Sequence, residues 1–448
     1  MPSTSPVKET RPSAVPAKGM RDLLPEQVAT RDWASARILE VYASYGFTRI
    51  ETPAVESLQV LLGSQGGENE KLVFKIMKRG EKLATSDPGE QADLGLRFDL
   101  TVPLARYYAH LQASLPQPFR AIQIGPVWRA DQPQKGRYRQ FTQCDIDILG
   151  LGSSLAEVEL IRATVGALAA VTLRSFVVRI NDRRVLVALV TSSGFSEADA
   201  AQVLITLEKM DKIGAPGVQR ELVGRGFPAP RVTQFLTAVA EIEKRALTGS
   251  ADLDWLELPV ERGVVEVLAA IIRAVRADQA AWAQTGAQVD IRFDPTLVRG
   301  MGYYTGPIFE ISHTGYPSSI AGGGRYDAMI GRFLGRPVPA CGFSIGFERL
   351  VEILEERGAA ESLRAAPRKI ALVVDEQLPD LTPVLTHARA QRAEGAVVIV
   401  EPKSAKGYGR QLYQLAKDGF TDGRVYHGNG TVEELGPTLR TKRSADGA

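Results

Sequence analysis

FRAIQIGPVWRADQPQKGRYRQFTQCDIDILG, residues 119–150, is the stretch on which the fold turns. It reads as two strands joined by a polar loop. β-formers run from Ile122 to Trp128, and the loop, Ala130 to Tyr138, carries Pro133, Lys135, Gly136 and Arg137. The second strand alternates: Cys144, Ile146 and Ile148 point one way, Gln143, Asp145 and Asp147 the other, because strand side chains repeat every two residues. One face therefore enters a core. The other presents an amide and two carboxylates close to Arg129, Lys135, Arg137 and Arg139. Alternation alone is equally the pattern of an ordinary half-solvated hairpin. Carboxylates on an otherwise apolar strand, beside a loop crowded with cations, suit a ligand with an amine at one end and phosphates at the other.

Working outward, 448 residues make room for about three domains. With 44% hydrophobic and 24% charged residues the composition is that of a globular chain, and a net charge of +2 confines any nucleic-acid surface to a local patch. Cys144 and Cys341 suggest neither a disulfide framework nor a metal site. His110, His313, His387 and His427 lack ligand spacing, so no protein-bound metal is expected. No apolar run is long enough to span a bilayer. Residues 1–18, rich in Pro, Ser and Thr, read as a disordered tail without a secretion signal, and residues 438–448 as a second polar tail. A reducing cytoplasm fits.

The remaining segments fall in order. Gln27 to Tyr45 has helical periodicity, and Phe47 to Val55 reads as a strand in which Pro53 argues for an edge. Leu94 to Ala109 passes from strand to helix with Thr101 as N-cap and Pro103 in the first turn; capping alone would account for Asp99 and Thr101. Residues 183–275 form an Ala-, Leu-, Glu- and Arg-rich helical module inserted between pieces of a sheet domain spanning 19–365. Asp290 to Ile311 returns to strand character and carries Arg299, Tyr303 and Tyr304, which an ion pair and core packing would equally explain. AGGGRYDAMI, residues 321–330, reads as a glycine-rich loop entering a helix, and CGFSIGFERLVEIL, residues 341–354, as a small-residue strand feeding a helix. Residues 368–437 show a β-α-β-α-β pattern, hence a small parallel sheet. Lys403, Lys406, Arg410 and Lys417 cluster there, by default as a solvated face. The fold class expected is α+β: an antiparallel sheet flanked by helices, a helical insertion, and a small C-terminal α/β unit.

Residues 129–147 resemble the second signature motif of class II aminoacyl-tRNA synthetases, and PQKGRYRQF in particular is similar to histidyl-tRNA synthetases. The segment ending at Pro53 resembles the first motif, which implies a homodimer; Gly342, Gly346 and Arg349 resemble the third. Arg299-Gly300 followed by Tyr303-Tyr304 is similar to the histidine-specific segment of that family. The resemblance implies ATP-dependent activation of L-histidine and its transfer to tRNA(His), with Mg²⁺ carried on phosphate oxygens. It implies that Arg129 and Arg299 hold the α-phosphate, that Arg137 and Arg349 hold the outer phosphates, and that Asp131, in place of the usual glutamate, meets adenine. Asp99, Thr101 and Gln143 would bind the ammonium, Asp147 and Tyr304 the ring nitrogens, and Tyr303 would line the pocket. Gln134 and Lys135 are candidates for the acceptor end of tRNA, the helical insertion for the acceptor stem, and the C-terminal unit, shorter than usual, for the anticodon. Neither membrane nor DNA is an expected partner. The alternatives are a regulatory paralogue in histidine biosynthesis and a ligase that couples histidine to another acceptor.

Overall fold

A computed structural model describes residues 13–63, 70–87, 89–132, 138–249, 251–300, 303–316, 318–358, 368–436, 438–439 and 441. Two compact units divide the chain, Met1–Ala360 and Glu361–Ala448. The first contains eleven strands: β1 (Thr48–Arg49), β2 (Val55–Ser57), β3 (Lys75–Met77), β4 (Ala92–Leu96), β5 (Phe119–Trp128), β6 (Gln140–Leu149), β7 (Ser175–Asp182), β8 (Gln288–Phe293), β9 (Pro307–His313), β10 (Ser319–Arg325) and β11 (Ala340–Ile345). Eight form one sheet in the order β1-β5-β6-β11-β10-β9-β7-β8, and β2-β4-β3 form a second. The large sheet is antiparallel except at its two edge pairs, β1 with β5 and β7 with β8, which are parallel.

The alternation in β6 orients the sheet. Cys144, Ile146 and Ile148 are fully buried in the main core, with Ile122, Ile180, Ile291, Phe309 and Ile345 on the same side. Helices Pro25–Ser44, Leu155–Ala170, Arg262–Arg276 and Phe347–Glu356 cover that face with Ile38, Leu160, Leu268 and Leu350. Each buried aliphatic side chain contributes about 1.5–3 kcal/mol, so this layer holds the strands in register. The opposite face is partly covered by helices Thr101–Leu111 and Asp327–Leu334, through Leu104, Met329 and Ile330. These two helices pack on each other, and a cavity lies beside them.

Several local expectations are corrected. The strand expected over 47–55 is two, β1 and β2, in different sheets, with Pro53 unable to donate to a ladder between them. Thr101 is the first helical residue, and the Asp99 carboxylate takes the capping role, accepting from the Val102 N–H at 3.0 Å. The glycine run is not a loop: residues 321–325 lie within β10, in the middle of the large sheet. Arg299, Tyr303 and Tyr304 lie between β8 and β9, outside any strand. The helical module packs around Leu189, Val203, Leu222 and Phe235, but its last expected helix, Arg262–Arg276, packs on the main core instead. Its buried Leu268, Ile271, Ile272 and Val275 draw it there.

In the second unit, β12 (Lys369–Val374), β13 (Val397–Pro402) and β14 (Asp422–Tyr426) are parallel, in the order β13-β12-β14. Helices Thr382–Ala393 and Tyr408–Lys417 make the crossovers. An antiparallel strand that the sequence pattern did not reveal, β15 (Val432–Glu434), adds to β14. Among the described residues no helix is long and apolar enough to cross a membrane.

Arg325, at the end of β10, is held by Glu157 of the Leu155–Ala170 helix: Nε donates to Oε1 at 2.7 Å and Nη2 to Oε2 at 2.9 Å. Glu157 is 1% exposed. Removing one partner of a buried pair strands the other charge, a cost of about 3–5 kcal/mol. Glu157→Ala is therefore expected to lower the urea midpoint of the first unit sharply. A midpoint equal to wild type would show that the pair does not tie this helix to the sheet.

Candidate active site

A cavity of about 920 Å³ opens on the uncovered face of the large sheet. Asp99, Thr101, Arg129, Asp131, Gln143, Asp147, Arg299, Tyr303, Tyr304 and Arg349 all line it. Residues scattered over 250 positions of sequence are thus brought to one place. Arg137, Gln134 and Lys135 lie outside the described residues.

The floor is set by strand register. On β6, Asp145 and Asp147 stand opposite Gln123 and Ala121 of β5 on one side, and Ser344 and Gly342 of β11 on the other. Gly324 and Gly322 of β10 continue the same rows. The glycines are required by close approach. A Cβ on Gly342 would strike the Asp147 carboxylate, and one on Gly322 would strike the Arg299 guanidinium. A Cβ on Gly324 would lie 2.9 Å from the Tyr304 ring and 2.7 Å from the Pro307 carbonyl oxygen. The run of small residues therefore makes a floor on which larger side chains from neighbouring strands and loops can lie.

One end of the cavity is acidic and buried. Asp99, Asp145 and Asp147 are 8%, 4% and 3% exposed. Tyr326 donates its hydroxyl to Asp147 Oδ1 at 2.5 Å, and the Gln143 amide donates to Asp145 Oδ2 at 3.3 Å. Gln143 Oε1, Asp145 Oδ1 and Asp147 Oδ2 are buried with no hydrogen-bond partner among the described residues. Unsatisfied buried acceptors are costly and rare, and three along one strand face mark a place made for N–H donors. Burial pushes the Asp147 carboxyl up to about 7; neighbouring Asp99 adds to the rise, and the Tyr326 hydroxyl opposes it. Burial, then the neighbouring Asp147, raises Asp145 well above the usual carboxylate range. Burial also raises Asp99, against the Val102 N–H and Arg129. A positively charged ligand would reverse these shifts.

Aromatic rings close this end. Tyr303 and Tyr304 meet edge-on with centroids 4.9 Å apart, and Tyr303 lies 5.5 Å from Tyr326. Burial pushes the Tyr304 hydroxyl up to about 12, so it remains a neutral donor and acceptor.

Three arginines line the same cavity. Arg129 Nε donates to the Phe98 carbonyl at 2.9 Å, and its guanidinium lies 5.0 Å from the Phe141 ring centroid. Arg349 Nη1 donates to the Ser319 carbonyl at 2.6 Å. Arg299 pairs with Glu310. Fork-shaped guanidinium donors fit phosphate oxygens.

Sequence reasoning left several contributors without a role. Asp145 was visible on the polar face but unassigned. Tyr326 reaches Asp147 across 179 positions, a contact no spacing reveals. Lys212, from the helical module, also lines the cavity. Glu348, another lining residue, takes a two-pronged bond from Arg31, both at 2.8 Å, another from Arg21 at 2.5 Å, and the Thr142 N–H at 2.9 Å. Burial works against its charge, but Arg31, Thr142 and Arg21 outweigh it and hold the carboxyl below the usual range. This knot ties the Pro25–Ser44 helix to the rim of the cavity. Acid–base pairing of this kind leaves no periodic signal.

The model of the histidyl-tRNA synthetase family matches residues 19–350. The chain belongs to that family. A histidine–tRNA ligase of Leifsonia xyli subsp. xyli is 48% identical over 375 residues, 81% of this chain and 84% of its own length. A probable histidine–tRNA ligase of Tropheryma whipplei is 42% identical over 426 residues, 91% and 94% of the two chains. The crystal structure of histidyl-tRNA synthetase from Nostoc sp. PCC 7120 superposes with a TM-score of 0.71 at 26% identity, covering 96% of this chain and all of that one. The mixed fold, a large antiparallel sheet with helices and a small C-terminal α/β unit, is that of the histidyl-tRNA synthetases. An ATP phosphoribosyltransferase regulatory subunit/histidyl-tRNA synthetase from Bacillus halodurans C shares the fold, with a TM-score of 0.68 at 22% identity.

The raised Asp147 value has a consequence for stability. The folded protein keeps this proton up to about 7, whereas the unfolded chain releases it near the ordinary 3.8. The carboxyl therefore costs stability increasingly as pH climbs through that window, and fully above it. Asp147→Asn is expected to raise the melting temperature of the ligand-free protein more at about pH 8 than at about pH 5. Equal shifts at both pH values would show that Asp147 ionises freely.

Proposed function

We propose that this cavity activates L-histidine with ATP and that the histidyl group is then passed to the 3′ end of tRNA(His). What carries the reading is the content of a single cavity: three buried acceptors without partners among the described residues, together with three arginines. Histidine brings N–H donors on its ammonium and ring to the acidic end, and ATP brings phosphates to the arginines. Family membership and the ligase names of relatives that cover most of the chain support the same conclusion.

In this reading Asp99, Thr101 and Gln143 hold the ammonium. Asp147 and Tyr304 meet the two ring nitrogens, and Tyr303 packs on the ring. Side chains lacking those nitrogens would leave buried groups unpaired, a rejection of about 10⁴-fold. Arg129 and Arg299 neutralise the α-phosphate while a histidine carboxylate oxygen attacks phosphorus and pyrophosphate leaves. Arg349 and Arg137 hold the outer phosphates, and Asp131 approaches the adenine. The protein's contribution is alignment and charge neutralisation. In this reading Mg²⁺ would be carried on the phosphate oxygens of ATP. A ribose hydroxyl of the terminal adenosine then attacks the acyl carbon of the adenylate, releasing AMP, with Gln134 and Lys135 near the acceptor end.

The reading extends to a cytoplasmic homodimer that engages neither membrane nor DNA, built around the Pro25–Ser44 helix and the segment ending at Pro53. β1, just before that proline, forms one edge of the large sheet. A regulatory paralogue has less behind it, because Arg299 lines the same cavity as the acidic residues, and a ligase with a non-tRNA acceptor has less behind it because relatives that cover most of the chain carry histidine–tRNA ligase names.

Histidine-dependent ATP–pyrophosphate exchange without tRNA tests the first step, and charging of tRNA(His) the second. Arg299→Ala is expected to lower the exchange kcat by about 10²–10³-fold. Asp147→Ala is expected to raise the histidine KM by about tenfold or more, with little change in the KM for ATP. Equal effects on the two KM values would remove Asp147 from the histidine site, and exchange that needs no histidine would overturn the whole reading.

A further inference from the structure

Arg299 is held by more than its own loop. Leu297 and Val298, immediately before it, are each 3% exposed and belong to the apolar cluster of the helical module. The guanidinium lies over Gly322, where any Cβ would collide with it. Glu310 of β9 stands opposite Gly322 in the strand register. Its two oxygens are divided between two arginines: Oε2 accepts from Arg299 Nη1, and Oε1 from Arg179 Nη2 of β7. Arg179 Nη1 in turn lies 3.3 Å from Asp294 and 3.1 Å from Asp211, at the start of the Met210–Gly224 helix.

The division matters. A carboxylate gripping Arg299 with both oxygens would occupy two donors of the fork. Here Glu310 takes Nη1 alone and leaves the rest of the guanidinium on the cavity side. The side chain of Glu310 is 9% exposed and that of Arg179 16%, whereas Arg299 is 31% exposed. The anchor is buried and the anchored group is not. Opposite charges at this depth attract far more strongly than at a surface, so the carboxylate restricts the arginine without covering it.

We propose that Glu310 is a positioning residue for amino-acid activation, fixing the Arg299 guanidinium over the Gly322 floor while Arg179 holds Glu310 from behind. The inference rests on the role given above to Arg299 at the α-phosphate. Misplacing such a group by about 1 Å can cost about 10²-fold in rate.

The test uses the full chain, histidine-dependent pyrophosphate exchange and a thermal melt of each variant. Glu310→Gln keeps an acceptor oxygen but removes the charge. It is expected to lower kcat by about tenfold to 10²-fold while the histidine KM stays within about threefold of wild type. In an Arg299→Ala background the same change is expected to alter kcat by less than about twofold, since it acts through the missing arginine. Gly322→Ala, which displaces the guanidinium by crowding, is expected to reproduce the kcat loss with histidine KM preserved, and it decides the matter should Glu310→Gln not fold. A wild-type kcat in either folded single variant, or an equal loss from Glu310→Gln with and without Arg299, would overturn the proposal. Absence of exchange in the wild-type chain would instead overturn the functional reading on which it rests.

Discussion

A buried carboxylate with an unpaired oxygen is costly for a fold to carry, and β6, an interior strand of the large sheet, carries two, Asp145 and Asp147. They are tolerable because the other face of the same strand is wholly committed to the core. Cys144, Ile146 and Ile148 are fully buried between neighbouring strands and covering helices. A slip of one residue would drive the carboxylates into that core and the aliphatic side chains into the cavity. The hydrophobic face thus enforces the register that the acidic face needs. Protonation lessens the remaining cost, and the bonds from Tyr326 and Gln143 satisfy two of the four carboxylate oxygens.

The same requirement explains why the arginines do not collapse onto the acidic end. Three guanidinium groups share a cavity of about 920 Å³ with Asp99, Asp145 and Asp147 among its carboxylates, and free side chains would neutralise one another. Each arginine is engaged elsewhere instead: Arg129 with the Phe98 carbonyl, Arg349 with the Ser319 carbonyl, Arg299 with Glu310. These contacts hold the arginines in place before any ligand arrives. A ligand that is cationic at one end and anionic at the other meets oriented partners, with little reorganisation left to cost.

How much of this was legible in the sequence depended on the range of the interaction. Period-two alternation located β6 and its two faces, because strand geometry is local. The site residues around it were named by resemblance to the family motifs, and those within the described residues line one cavity. The glycine run at 321–324 was misread as a loop because glycine signals turns more often than strands; only its pairing with β9 and β11 shows why a side chain is forbidden there. The Arg262–Arg276 helix was assigned to the inserted module because helix periodicity says which face is apolar but not what it meets. Glu310, Glu348 and Tyr326 escaped notice for a common reason. Each acts through a partner 11 to 317 positions away, and no local pattern encodes such a pairing.

The acidic end also bears on how the imidazole of the proposed substrate would be told apart from other side chains. Burial raises the Asp147 carboxyl to about 7 in the ligand-free protein, and an N–H donor brought against it would favour the charged form. With Tyr326 occupying Oδ1, Oδ2 is the oxygen left without a partner among the described residues. In the proposed reading, selectivity would come from placing the second ring nitrogen against Tyr304, whose hydroxyl burial keeps protonated and able to donate or accept. A side chain with one polar atom would satisfy Asp147 or Tyr304 and leave the other unpaired in a buried site, which is the larger penalty. Geometry, more than charge, would therefore define the amino acid.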